Sequence, residues 1–366
     1  MSVDGGASWV DADGAPGPRL LAGESVGYRV SITNTGMIAP SDLVLECEGV
    51  DIGACGLPDE ILEGELVSCT ETVGWSVGSN GVTATVSAVA TDARGVTATV
   101  GDSDEAWYTG AVPALTAELA VSPDGGLTWF EADEPPGPPI GEDVGPRYAL
   151  TVTNAGNVDL KTVALGAEGF DLSGCPPLVP LGAGEQYACE VGGEWSAGQN
   201  SAAVTATVTF EDGAGATAQV EAVDRAYTFG TAPGIEVEKG VSADGVVWHD
   251  ADDEDGALEL AAGAEVWWGV RIWNTGTVSL RLTVEDVRDG GVLDLADVCE
   301  TAPPEVLEAG QVYRCEFVDP EGARQGVWRN VVTVEGRFGE GWVGADVDAT
   351  VYVVGAWKVY LPLVMR

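Results

Sequence analysis

Three observations predict an all-β chain of three tandem immunoglobulin-like sandwich domains followed by one extra C-terminal strand. Landmarks recur 120 residues apart, as Asn34, Asn154 and Asn274 do. Within each copy apolar residues alternate with a period of two, the mark of strands with one buried face. Turn formers are dense, with 51 Gly and 19 Pro in 366 residues, and they cut each copy into short strands.

Composition narrows the function classes. A length of 366 residues suits two or three domains, and 45% hydrophobic residues make this a folding chain. Asp and Glu number 59 against 16 Lys and Arg, for a net charge of −43. Such a surface repels nucleic acid and anionic lipid, so neither is an expected partner. It suits cations or a solvated acidic coat. No apolar stretch is long enough to span a bilayer. Residues 1–4 lack the basic start and apolar run of a signal peptide.

Each copy carries the same punctuation. SVDGGASW (2–9), SPDGGLTW (122–129) and SADGVVW (242–248) open the copies. VSITNTG (30–36), LTVTNAG (150–156) and VRIWNTG (270–276) end an early strand in Asn-x-Gly. This reads as a turn, because Asn and Gly tolerate positive φ. Before it, Tyr28/Val30/Ile32, Tyr148/Leu150/Val152 and Trp268/Val270/Ile272 share one face. Later, Val82/Ala84/Val86/Ala88 and Val204/Ala206/Val208/Phe210 do the same. About seven such strands in roughly 100–120 residues fit an immunoglobulin-like sandwich, and no amphipathic helix is apparent. Trp107, Tyr227 and Tyr352 read as an aromatic that closes each copy. The expected boundaries are 1–112 for domain one, 113–232 for domain two, 233–354 for domain three, and 355–366 for the last strand.

These motifs resemble the VTNTGN-type immunoglobulin-like repeats of bacterial and archaeal cell-surface proteins. The opening SVDGGASWVDADGAPGP (2–18) and the ending KVYLPLVMR (358–366) resemble a secreted variant found in Chloroflexota-like bacteria. The resemblance covers nearly the whole chain. It implies an extracellular repeat protein and no enzymatic activity, since the family serves as stalks, spacers and surface-layer parts.

Six of the seven cysteines recur in matching places: Cys55 with Cys69, Cys175 with Cys189, and Cys299 with Cys315. A pair repeated in every copy reads as an intradomain disulfide and an oxidising compartment. Closing such a loop is worth roughly 3 kcal/mol in the chain-entropy account. Two thiolates per copy do not make a tetrahedral zinc site. Cys47 aligns with Ala167 and shares parity with Leu43 and Leu45, which predicts a buried free thiol.

Catalytic constellations are lacking. The single histidine, His249, aligns with Val10 and Phe130 and is read as structural or exposed. No P-loop or HExxH occurs, so no enzyme is expected. What recurs is acidic. Asp11 and Asp13, Glu131 and Asp133, and Asp250 and Asp252 follow the recurring Trp of each copy; Asp104, Asp224 and Asp348 lie on its closing strand. Carboxylates from two segments are what Ca²⁺ requires, and calcium at the domain junctions is one reading. A solvated acidic face is the other. Trp9, Trp129 and Trp248 read as core or junction packing, and Trp273 as an exposed contact residue.

The tail GAWKVYLPLVMR (355–366) alternates Trp357, Val359, Leu361, Leu363 and Met365. Counted from Asp104, Asp224 and Asp348, Val359 matches Leu115 and Ile235; Leu361 matches Ala117 and Val237; Leu363 matches Leu119 and Lys239; Met365 matches Val121 and Val241. Counting from the closing aromatic instead shifts the tail by one and sets Tyr360 against Leu115. The tail's own alternation favours the Asp anchor. It reads as the first strand of a further domain, while Met1 aligns with Val121, so that domain one has no first strand of its own. The expected function is a structural subunit of an extracellular filament. It would polymerise with copies of itself, head to tail, by placing this strand in domain one of the next subunit. The alternative is a monomeric cell-surface adhesin or ligand-binding stalk whose tail is a secretion or anchoring signal.

Overall fold

The computed structural model describes residues 1–354, apart from 24, 52–54, 254, 289, 340 and 341. The predicted last strand, with Trp357, Val359, Leu361, Leu363 and Met365, lies outside the described residues. What is described is nearly all β and sorts into three sandwiches, each with its own apolar cluster.

The first sandwich contains β1 (Arg19–Leu21), β2 (Ser25–Thr33), β3 (Pro40–Glu48), β4 (Leu66–Gly74), β5 (Gly78–Thr91) and β6 (Thr97–Ala111). One sheet runs β1-β6-β5-β3, and the other is the pair β2-β4. The second sandwich contains β7 (Leu115–Ser122), β8 (Phe130–Glu131), β9 (Pro139–Gly141), β10 (Arg147–Asn154), β11 (Val163–Glu168), β12 (Gln186–Gly192), β13 (Gly198–Glu211) and β14 (Thr217–Thr231). Its sheets run β12-β10-β7-β8 and β11-β13-β14-β9.

The third sandwich begins with β15 (Glu236–Ser242), β16 (Trp248–His249), β17 (Leu258–Leu260), β18 (Trp267–Trp273), β19 (Leu280–Arg288) and β20 (Gly291–Leu293). It continues through α1 (Leu295–Val298), β21 (Val306–Leu307), β22 (Val312–Val318), β23 (Gly326–Phe338) and β24 (Trp342–Val354). Its sheets run β16-β15-β18-β22 and β17-β24-β23-β19-β20, with β21 also on β19. The single turn α1 is absent from the sequence reading. It is capped by Asp294, whose side chain accepts the N–H of Ala296, and it delivers Cys299 to its partner. A 3-10 turn, Leu172–Gly174, capped by Asp171, does the same for Cys175.

Disulfides join Cys55 to Cys69, Cys175 to Cys189 and Cys299 to Cys315, with Cα atoms 5.4, 5.6 and 5.4 Å apart. Recurrent disulfides of this kind belong to an oxidising compartment. Cys47 is free but only half-buried, not the buried thiol expected.

Strand registers correct three readings. Tyr352 faces Trp328 as Tyr108 faces Asn80 and Thr228 faces Asn200. Tyr352 therefore matches Tyr108, not Trp107 and Tyr227. The shared chemistry agrees: the hydroxyl of Tyr108 accepts the N–H of Ser76 at 3.0 Å, and that of Tyr352 accepts the N–H of Arg324 at 3.4 Å. The second correction concerns Asn-x-Gly, which uses no positive φ. Asn154 and Asn274 are fully buried and bind across the fold. Their amides donate to Val158 and Leu181, and to Val278 and Leu307, at 2.8–3.0 Å. The glycines are needed for space: a Cβ on Gly156 would overlap the carbonyl oxygen of Val112, and one on Gly276 that of Ala232. Third, Trp9, Trp129 and Trp248 are half-buried and belong to no core cluster. Trp9 lies under the guanidinium of Arg29, 4.6 Å from its ring centre, and Trp248 lies against Gly269.

Linkers are tied to the sandwich that follows. Asn157 accepts the N–H of Val112 at 2.7 Å and donates to Gly110 at 2.8 Å. Thr277 accepts the N–H of Ala232 at 2.8 Å and donates to Gly230 at 2.9 Å. Arg19 pairs with Asp159, and the N–H of Leu21 donates to Asp212 at 2.9 Å, joining the first sandwich to the second.

Candidate functional sites: an open cleft and three acidic clusters

In the second sandwich β7 lies between β10 and β8, with Leu119 opposite Leu150 and Ala117 opposite Val152. In the third, β15 pairs with β18 in the same way, with Lys239 opposite Val270. In the first sandwich, among the described residues, β2 pairs with β4 along its length but meets only Ser2 on its other side, through a bridge to Gly27. Burial records the difference. Leu150, Val152, Val204 and Ala206 are fully buried. Their counterparts Val30, Ile32, Ala84 and Val86 are half-buried and line a hollow of about 480 Å³ with Leu45, Asp104 and others.

Four further features distinguish this edge of the first sandwich from its counterparts. Met1 occupies the site of Val121 and is 6% exposed, with its N–H bonded to Val10. Ser2 exchanges two backbone hydrogen bonds with Gly27, at 2.7 and 2.8 Å. Gly36, the counterpart of Gly156 and Gly276, meets only its own turn's Asn34 side chain within 4 Å. Met37 stands where Asn157 and Thr277 hold their linkers, and it is 88% exposed.

The acidic residues come together as three sets. One carboxylate oxygen from each of Asp11, Asp13 and Asp104 lies within 4.8 Å of the others, and the same holds for Glu131, Asp133 and Asp224, and for Asp250, Asp252 and Asp348. Each set comes from one sandwich. The junctions predicted to hold them are instead bridged by Arg19, Leu21, Asn157, Asp159 and Asp212. The closing-strand member also reaches the first strand. Asp224 accepts the N–H of Leu119 at 2.6 Å, and Asp348 accepts that of Lys239 at 2.5 Å. Asp104 accepts the N–H of Glu105 at 2.9 Å and has no first-strand N–H beside it among the described residues.

Crowding shows in the acidities. Contact with Asp11 holds the Asp13 carboxyl above its ordinary range, and Asp250 does the same to Asp252. Partial burial, then Glu118, Asp133 and Asp224, raises Glu131. Each set costs energy when fully ionised, and a proton or a cation relieves it. Three carboxylates supply part of the six to eight oxygens that Ca²⁺ takes; backbone carbonyls and water would complete the shell.

Other expected residues are placed plainly. His249 is exposed on β16, opposite Val241. Trp273 is 38% exposed, with the guanidinium of Arg271 5.5 Å from its ring centre. Sequence reasoning missed the ion pair of Lys239 and Asp286, both side chains wholly buried. Lysine at a core-facing position of a strand was the available signal. No helix of the described residues is long and apolar enough to cross a membrane.

No protein-family model matches the sequence, and no curated protein does. Among solved structures, the chain is similar to a Ca²⁺-stabilized adhesin with which an Antarctic bacterium reaches out and binds ice. The identity is 15% over 90% of this chain and 69% of the other, with a TM-score of 0.23. It is also similar to extracellular cadherin domains 1–4 of protocadherin gamma B7, at 11% identity over 91% and 73%, with a TM-score of 0.40.

Proposed function

We propose that the protein is a structural subunit of an extracellular filament, and that residues 357–364 of one copy enter the cleft of the first sandwich of the next. The observation that carries this reading is the edge of β2 that, among the described residues, only Ser2 meets, beside half-buried Val30 and Ile32, in a place that β7 and β15 fill in the other two sandwiches. The tail supplies the pattern that β7 supplies. In that register Val359 lies opposite Asn34, Leu361 opposite Ile32 and Leu363 opposite Val30, following the pairing of β7 with β10. The N–H of Leu363 meets Asp104, as that of Leu119 meets Asp224. Residues 356–358 pass over Gly36 and Met37. Burying three aliphatic side chains contributes roughly 1.5–3 kcal/mol each.

Pro362 costs one bond in this register. It stands for Glu118, which has the parity of Ser122, and the Ser2–Gly27 exchange shows that this parity bonds to the neighbouring strand. The missing N–H of Pro362 therefore faces β2, at a cost of about 1 kcal/mol. The apolar burial is larger.

The three acidic sets are proposed as calcium sites that stiffen each sandwich, with Asp104, Asp224 and Asp348 serving both cation and first strand.

Electron microscopy and sedimentation of the full chain and of a chain lacking 356–366 test the filament reading. Filaments from the first and monomers from the second are expected. Assembly without the tail overturns insertion. Short isolated rods from the full chain favour a monomeric surface stalk.

A further inference from the structure

We infer that the cleft of the first sandwich selects its incoming strand at one position, the one opposite Val30, where it accepts an aliphatic side chain and rejects lysine. This rests on the insertion reading above and names what the cleft discriminates.

Two positions face one another across each sandwich. On the first strand, Leu119 of the second sandwich matches Lys239 of the third. On the opposite sheet, Ala167 pairs with Val204 and Asp286 with Val332, and Val204 and Val332 pair with Asp224 and Asp348. In the first sandwich Cys47 pairs with Ala84, which pairs with Asp104. Ala167, Asp286 and Cys47 therefore hold one place. Leucine goes with alanine in the second sandwich, and lysine goes with aspartate in the third.

The side chain of Lys239 bonds to Asp286, while Asp348 holds the backbone N–H of Lys239. Asp104 would be engaged in the same way by an inserted strand. Cys47 then faces the incoming side chain in the place of Asp286, with Asp104 beside it. Cys47 lines a hollow with Leu45, Val50 and Asp51, of which Leu45 and Val50 also line the cleft. A thiol in the place of Asp286 gives a buried ammonium no carboxylate where Lys239 finds its direct partner. Leu363 fits this place. A strand such as β15 of another copy, carrying Lys239, does not.

Four full-length chains test the rule by sedimentation: wild type, Leu363→Lys, Cys47→Asp, and the double variant, which reproduces the pair of the third sandwich. Each single variant is expected to raise the concentration needed for assembly roughly a hundredfold. The double variant is expected to restore it. An equimolar mixture of the two singles is also expected to assemble, since each tail then meets the cleft it fits. Wild-type assembly by Leu363→Lys overturns the rule, and so does failure of both the double variant and the mixture to assemble when circular dichroism shows folded chains. If deletion of 356–366 still abolishes assembly in those cases, insertion itself stands, and loss of assembly in Val364→Lys would identify a register displaced by one. If the deletion changes nothing, insertion and selection fall together. Should Cys47→Asp unfold the first sandwich, Leu363→Ile against Leu363→Lys decides. Assembly by Ile alone supports the rule, and assembly by both overturns it.

Discussion

The ammonium of Lys239 meets the carboxylate of Asp286 inside the third sandwich, with both side chains closed off from water. Burial pushes the lysine down and the aspartate up, and their mutual attraction opposes both shifts. A buried pair of this kind is costly to break and cheap to replace as a unit. Asp286→Ala should destabilise the third sandwich by about 3–5 kcal/mol. The double variant Lys239→Leu with Asp286→Ala, which copies Leu119 and Ala167, should recover most of that loss. Denaturant unfolding followed by tryptophan fluorescence measures both, and additive losses in the double variant would contradict the coupling.

Gly36 and Gly156 are equivalent in sequence and differ in surroundings. Gly156→Val should destabilise the second sandwich, because its Cβ overlaps the carbonyl oxygen of Val112. Gly36→Val meets no such obstacle and has no positive φ to lose. It should leave the melting temperature unchanged and block filament growth. Unimpaired growth of that variant would show that no chain passes over Gly36.

Acid should unfold the second sandwich partly through Asp124. Its carboxylate accepts from the hydroxyl of Thr128 at 2.6 Å, the N–H of Thr128 at 2.9 Å and the hydroxyl of Ser122 at 2.8 Å. These bonds lower its pKa to about 2 from an ordinary 3.8. The folded state holds the proton less tightly than the unfolded chain does. The contribution is therefore complete above pH 3.8 and is lost as pH falls toward 2. Asp124→Asn should flatten that limb of the stability–pH curve and leave its shape above pH 5 alone. An unchanged acid limb would assign the loss to other carboxylates.

Calcium should raise the melting temperature of the chelated protein. A site saturated at a hundredfold excess over its Kd contributes about 2.7 kcal/mol. Glu131→Gln with Asp133→Asn should remove one of three binding events in calorimetric titration and leave the fold intact. A melt indifferent to chelator and to calcium would leave the clusters as solvated acidic faces.

The repeat was legible because landmark side chains recur in every copy at or near a spacing of 120 residues. Asn34, Asn154 and Asn274 show it, and so do the cysteine pairs and the acids on the closing strands. The alternation in 113–122 and 234–242 was enough to place first strands there and to notice that Met1 falls late in one. Residues whose role depends on a partner distant in sequence were not legible. Lys239 and Asp286 lie 47 positions apart on opposing sheets. Cys47 read as buried because its parity matches Leu43 and Leu45, yet burial needs a strand on the far side as well as parity.

The sequence by itself determined the all-β class, the tandem copies, the pairing of six cysteines and the membership of the acidic sets, since each is written in spacing and period. Only the tertiary structure decided that Tyr352 matches Tyr108, because register is set by ladder hydrogen bonds and not by the nearest similar side chain. It alone decided that the recurring tryptophans lie outside the cores, and that the acidic sets lie within sandwiches and not between them. It alone decided that Val30 and Ile32 are half-buried among the described residues, because burial depends on what packs across from them and not on the local pattern.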